Sequence, residues 1–377
     1  MTGASGPPSD TASRQGHVLV TGGAGFIGAN LCGALAGPGR RVVVIDDLST
    51  GRAENLAGVD GVELVEGSIL DDALLHRAMS GAAAVVHLAA RASVPRSLED
   101  PGATHAANAT GTLRVLEAAR AAGGPHVIVA SSSSVYGANT TLPAHEDLAP
   151  LPLSPYAASK LATEAYALSY AHSFGLPVLV FRFFNVFGPL QAAGHAYAAV
   201  VPAFLDAAMA GRPLPVHGDG LQTRDFTFVG SVVAVITDAL ARVVTATGPV
   251  NLAFGGRASL LELVAELSSV LGHDLPLAFG PARPGDVRDS QADQRRLRAL
   301  FPDHGTHLVA QRTGRTRGAV QAMAARLGLK RLNGRGSRCG PQKRVRKSSA
   351  RAVCAIEPLG AARPAKQPAP KIGRAHV

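Results

Sequence analysis

Three glycines spaced G-x-x-G-x-x-G constrain this chain more than any other feature. They are Gly22, Gly25 and Gly28 in the stretch Thr21-Gly22-Gly23-Ala24-Gly25-Phe26-Ile27-Gly28. The apolar run Val18-Leu19-Val20 leads in, and an alanine- and leucine-rich segment over 29–36 leads out, so a strand, a turn and a helix start are expected in that order. Gly22 allows the tight turn, Gly25 lets backbone approach a pyrophosphate, and Gly28 lets the helix pack close to the strand. The free N–H groups and positive end of the helix dipole then favour an anion. A second apolar run over 41–45 ends at Asp46, 18 residues after Gly28. A carboxylate at that distance accepts hydrogen bonds from an adenosine ribose, whereas a 2′-phosphate would prefer arginine; the pattern points to NAD.

The rest of the first half repeats the alternation of strand and helix. The polar turn Ser49-Thr50-Gly51 suits the adenosine end of a cofactor. A strand is expected over 62–65, followed by Ser68 and Ile69, then a helix capped by Asp71 and running to Met79. Another strand over 84–88 ends in Leu88-Ala89-Ala90, whose two alanines let a cofactor lie across the strand tip, and a long helix over 104–122 precedes a strand over 126–130. Alternation of this kind predicts an α/β fold with a doubly wound parallel sheet, whose ligands sit at the carboxyl ends of the strands. There the chain reads Ser131-Ser132-Ser133-Ser134-Val135-Tyr136, and after a loop a helix over 156–174 opens with Tyr156-Ala157-Ala158-Ser159-Lys160. Tyr156 and Lys160 are four apart and share one helix face. A lysine beside a phenol favours the phenolate, and a serine hydroxyl can share the substrate's proton, so acid–base chemistry on an alcohol is implied.

Composition sets the limits. At 377 residues with 46% hydrophobic and 17% charged residues, one large or two modest domains are expected. No apolar run approaches the ~20 residues of a membrane span. Residues 1–16 form a polar, flexible lead-in without a signal core, and Cys32, Cys339 and Cys354 make neither a metal pattern nor a disulfide framework, which fits a reducing cytoplasm. The net charge of +10 is unevenly spread: from Asp303 onward 17 Lys and Arg face two acids, leaving 20 basic against 25 acidic groups before it. Basic character therefore belongs to the tail, and nucleic acid is not expected as a partner of the main body.

Together these motifs resemble the extended short-chain dehydrogenase/reductase family, and within it the nucleotide-sugar 4-epimerases. The likeness spans residues 17–301 and implies a Rossmann domain over 17–180, with segments about 221–252 returning to it, and smaller substrate-binding segments over 181–302. By position it implies Tyr156 as catalytic base, Lys160 on the nicotinamide ribose, and Ser132 as the family's catalytic Ser/Thr, with Ser134 near the sugar. Phe26, Ile27, Asp46, Leu88, Ala89 and Ala90 fall at cofactor-contact positions, and Ser68 stands where an aspartate is frequent. Asn185 in Arg182-Phe183-Phe184-Asn185, Arg224 in Gln222-Thr223-Arg224-Asp225, and Arg283 in Arg283-Pro284-Gly285-Asp286 would hold the substrate's diphosphate. Asp286 would take the nucleoside ribose.

The resemblance also narrows the reaction. Related dehydratases carry Asp-Glu where this chain has Ser133-Ser134, so dehydration is disfavoured and reversible oxidation at the sugar's C4 by bound NAD is implied. Ser290 stands where some members place a bulky tyrosine, leaving room for a 2-acetamido group, and the stretch 196–202 with Val200 is similar to members acting on UDP-N-acetylhexosamines. UDP-glucose and UDP-N-acetylglucosamine are both open as substrates. Residues 130–143 also resemble UDP-glucuronate 4-epimerases, although Asn185 replaces their usual threonine. Helices 104–122 and 156–174 are those with which members build dimers, so a homodimer is implied by analogy.

Beyond Phe301-Pro302 the family pattern stops. Residues 315–329 resemble part of a helix-turn-helix, which keeps open an NAD-binding regulator that touches DNA through its tail. The last six residues, Ile372 to Val377, match one reading frame of a common library adapter, so 303–377 is expected to be an appended segment without function. On that expectation the family's closing helix is missing, and a poorly folding fragment is a third reading.

Overall fold

The computed structural model describes residues 16–37, 39–193, 199–282, 287–302 and 304. Arg283, Asp286, part of the stretch 196–202, and the lead-in and basic tail (Gly16 and His304 excepted) lie outside the described residues. The chain enters on β1 (His17–Thr21), passes the glycine turn into α1 (Phe26–Leu35), and continues through β2 (Val42–Asp46), β3 (Val62–Glu66), α2 (Asp72–Met79) and β4 (Ala82–His87). Two short helices, α3 (Val94–Glu99) and α4 (Pro101–His105), lead through a π-turn (Ala106–Thr110) into α5 (Gly111–Ala121). Then come β5 (His126–Ser132), α6 (Pro155–Phe174) and β6 (Val178–Phe183).

Seven parallel strands make the central sheet, in the order β11-β6-β5-β4-β1-β2-β3, where β11 is Val250–Leu252. The order reverses between β1 and β4, and that is where a doubly wound sheet opens a crevice at its carboxyl edge. Alternation within each strand builds a core on both faces. Val20, Val44, Val86, Ile128 and Phe181 pack toward α1 and α8 (Val229–Arg242), while Leu19, Val43, Val85, Val127 and Val129 pack toward α2, α5 and α6. The α/β doubly wound fold expected from the alternation is the fold observed.

Helix boundaries follow local chemistry. Asp71 accepts the N–H of Leu74 and caps α2, as its place in the sequence implies. Ser154 accepts the N–H of Ala157, Pro155 takes the first helical position, and left-handed Gly175 ends α6. The expected helix over 104–122 starts earlier, at Pro101, and carries the π-turn, because Asp100 caps at Ala103 and no glycine or proline marks the bulge. Helix α1 begins at Phe26 rather than at 29, directly out of the glycine turn.

A smaller lobe follows β6. It holds β7 (Val186–Phe187), α7 (Val200–Met209), β8 (Leu214–His217), β9 (Thr223–Arg224), β10 (Thr227–Phe228), β12 (Ala258–Ser259), α9 (Leu260–Leu271) and β13 (Leu277–Gly280), while α10 (Arg295–Leu300) returns to pack against β11 and the core of the main sheet. Phe187, Phe204, Leu214, Val216, Val264 and Leu267 form its own core. The chain crosses back through α8, so β11 closes the sheet beside β6. No helix among the described residues is long and apolar enough to cross a membrane.

Candidate active site

The glycine turn is built for close approach. Gly22 has φ +73°, and a Cβ there would lie 2.6 Å from the Ala89 nitrogen. A Cβ on Gly28 would lie 2.3 Å from the Gly22 carbonyl, so any larger residue would push α1 off the sheet. No side chain caps the N-terminus of α1, which leaves its first N–H groups for a ligand. Asp46, at the tip of β2, is held by N–H groups of Ala24 and Leu48, both at 2.9 Å. Burial pushes its carboxyl up, and those two donors pull it back down.

A cleft of about 2190 Å³ runs from this turn to the end of β5. Lining it are all the residues expected to touch the cofactor: Gly22, Gly25, Phe26, Ile27, Gly28, Asp46, Ser49, Thr50, Gly51, Ser68, Ile69, Leu88, Ala89 and Ala90. Ser132, Tyr156, Lys160 and Asn185 line the same cleft. An uncapped helix end, a Cβ-free cradle and a fixed carboxylate at the tip of β2 fit NAD, and Lys160 lines the same cavity.

Ser132 ends β5 and Tyr156 opens α6, and both line the cleft. Burial raises the Tyr156 phenol above its ordinary range, and the nearby Ser132 hydroxyl acts the other way. Lys160 is 5% exposed, donates to the Ala130 carbonyl at 2.8 Å, and burial lowers its ammonium to about 8. Spacing alone suggests that Lys160 lowers the phenol; here the lowering contact on Tyr156 is Ser132, while Lys160 is turned to the β5 backbone.

Sequence reasoning missed the support beneath this pair. Glu164, four residues beyond Lys160, raises the lysine's pKa and forms a buried bidentate pair with Arg182 at 2.9 and 2.8 Å. Ser131 donates to the same carboxylate at 2.5 Å. The spacing Tyr156, Lys160, Glu164 was the available signal. Asn108, in the π-turn, accepts the Arg91 N–H at 2.7 Å and donates to Ser159 at 2.9 Å, whose hydroxyl in turn donates to the Tyr156 carbonyl. Nothing in the sequence marks that role.

A second cavity of about 210 Å³ adjoins, sharing Asn185 with the first and lined by Val200 and Arg224. Arg224 is buried and donates to the carbonyls of Thr223 and Arg288. Gln191 and Gln222, which sequence reasoning did not single out, line it too, and each has a buried side-chain oxygen without a partner among the described residues. Ser134 and Ser290 line neither cavity. The Ser134 hydroxyl is buried without a partner, and Ser290 is buried with its N–H on the Thr223 carbonyl at 3.1 Å. Among the described residues no cluster of three His, Cys, Asp or Glu is placed to hold a metal ion.

The family model described as NAD dependent epimerase/dehydratase matches residues 18–253. A UDP-glucose 4-epimerase of Mycolicibacterium smegmatis is 41% identical over 296 residues, 76% of this chain and 92% of the relative. A solved UDP-N-acetylglucosamine 4-epimerase from Methanobrevibacter ruminantium M1, in complex with UDP-N-acetylmuramic acid, superposes with TM-score 0.76 at 33% identity, covering 82% of this chain and 97% of that one. A mutant UDP-glucuronic acid 4-epimerase from Bacillus cereus, solved with NAD and a fluorinated UDP-glucuronic acid, gives TM-score 0.74 at 28% identity, over 83% and 99% of the two chains. The chain therefore belongs to the NAD-dependent epimerase/dehydratase family, as an extended short-chain dehydrogenase/reductase and an NAD-dependent nucleotide-sugar epimerase, an isomerase.

Proposed function

We propose that the chain interconverts UDP-hexoses at C4, taking UDP-glucose and UDP-N-acetylglucosamine. The observation that carries this reading is that Ser132, Tyr156 and Lys160 line one cleft with the glycine turn and Asp46. Bound NAD+ supplies the hydride acceptor and later returns the hydride. Tyr156 takes the proton of the sugar 4-hydroxyl, directly or through Ser132, and gives it back to the product. Lys160 holds the nicotinamide ribose. The residues on the hexose side let the keto sugar turn over before reduction, while Asn185, Arg224, Arg283 and Asp286 keep the nucleotide in place. The serines at 133 and 134 leave no acid–base pair for eliminating water. Val200, in a stretch similar to members acting on UDP-N-acetylhexosamines and on the wall of the second cavity, supports tolerance of a 2-acetamido group.

On this reading residues 17–180 and about 221–252 bind the cofactor, and 181–302 bind the nucleotide sugar. The protein acts in the cytoplasm as a homodimer through its α4–α5 and α6 helices, without nucleic acid. The test is to incubate purified protein with UDP-glucose, UDP-N-acetylglucosamine and UDP-glucuronate and follow the C4 epimers by NMR. Conversion of the first two, lost in Tyr156→Phe while NAD stays bound, is expected. Conversion of UDP-glucuronate alone would replace the substrate assignment with the uronate one.

A further inference from the structure

Asn30 lies on α1 one turn beyond Phe26, and its amide spends both hydrogens. One goes to the Phe26 carbonyl at 2.8 Å, within the helix, and the other crosses to the Pro189 carbonyl at 2.9 Å. The second bond ties the helix of the glycine turn to a segment 159 residues away, just beyond Asn185 and β7.

That segment is a demanding turn. Gly188 has φ +151°, and a Cβ there would lie 2.5 Å from a Val229 methyl. Leu190 has φ +68°, in the left-handed region that a leucine occupies only at an energetic cost. The turn is closed by the Gln191 N–H on the Gly188 carbonyl, and Gln191 Nε2 donates to the Val186 carbonyl at 3.2 Å. Pro189, Leu190 and Gln191 line the same cleft as Gly25, Phe26 and Ile27. A dinucleotide against the glycine turn is therefore flanked by a strained wall that a side chain of the cofactor helix holds in place.

We propose that Asn30 is a positioning residue for cofactor retention: its amide latches the Gly188–Gln191 turn to α1 and slows release of NAD. The inference rests on the reading above, in which NAD is regenerated at each cycle and has no need to leave. Slow release then costs no turnover. The latch acts on the wall and not on the reacting atoms, so it governs how long NAD stays and not how fast a loaded site works.

Asn30→Ser separates the latch from the helix. A serine hydroxyl still bonds back to the carbonyl four residues earlier but is too short to reach Pro189. Asn30→Ala loses both bonds. Holoprotein of each variant is diluted and filtered at intervals, NAD per chain is measured, and circular dichroism checks the fold. Both variants are expected to release NAD about tenfold faster than wild type, from the loss of one neutral hydrogen bond. Epimerisation per NAD-occupied chain should be unchanged at saturating NAD. Release from Asn30→Ser at the wild-type rate overturns the latch alone. A wild-type chain that holds no NAD removes the underlying reading, and the latch with it.

Discussion

At the scale of single residues, the site depends on a run of charges along one face of α6. Tyr156, Lys160 and Glu164 follow at intervals of four, and Arg182 pairs with the last of them from β6. Burial drives Lys160 toward neutrality and Glu164 holds its proton on, leaving it at about 8. Since a neutral lysine no longer offers the nicotinamide ribose a charged donor, activity should fall as pH rises past about 8. In Glu164→Gln the opposing charge is gone, so the descending limb of the pH–rate profile should move to lower pH. The same change leaves Arg182 buried and unpaired and should cost ~3 kcal/mol in urea unfolding. A pH profile that does not move would mean that Glu164 serves packing only. The shared position of Tyr156 and Lys160 on one cleft was legible in the sequence because both stand in one short motif. The Glu164–Arg182 pair was not, because its halves are 18 residues apart on different elements and only the fold brings them together.

At the scale of elements, a buried polar chain fastens the sheet to its helices. The His87 ring, at the end of β4, bonds Thr21 of β1 at 2.7 Å and Thr112 of α5 at 3.0 Å. Thr112 gives its own hydrogen to the Asn108 carbonyl, so it accepts from His87 Nε2–H, and Nδ1 accepts from Thr21. This assigns a neutral tautomer. Burial, with Lys160 nearby, lowers the ring to about 3. The folded pKa lies below the unfolded one of about 6.5, so the unfolded chain gains a proton first and stability falls as pH drops from 6.5 toward 3. Between about pH 7.5 and pH 5 this amounts to about 2 kcal/mol. Denaturant unfolding at the two pH values should show it, and His87→Gln should lack that component. Equal pH dependence in the two proteins would contradict the assignment. The strands and most helix ends were legible from apolar runs and capping residues. The π-turn at Ala106–Thr110 was not, since it answers to the tertiary demands on Asn108 and Thr112 and not to local propensity.

At the scale of the whole molecule, two adjoining cavities share Asn185 on their walls, and the proposed function gives the larger to the cofactor and the smaller to the substrate. Sequence could place the cofactor half because its motifs are contiguous. It placed the substrate half by resemblance, and Ser290 illustrates the limit: its register beside β9 buries it away from both described cavities. The proposed dimer draws on the outer face of α6 and its approach, where Leu153 and Tyr166 are exposed. Sedimentation should give twice the chain mass, and Tyr166→Glu should shift it toward one. A monomer at working concentration would refute the arrangement. The central claim, that hydride leaves C4 for bound NAD and returns to the same carbon, has a direct test. UDP-glucose deuterated at C4 is converted in ordinary water and the product examined by NMR. Deuterium retained at C4 of the epimer is the predicted result, and its replacement by solvent hydrogen would contradict the account.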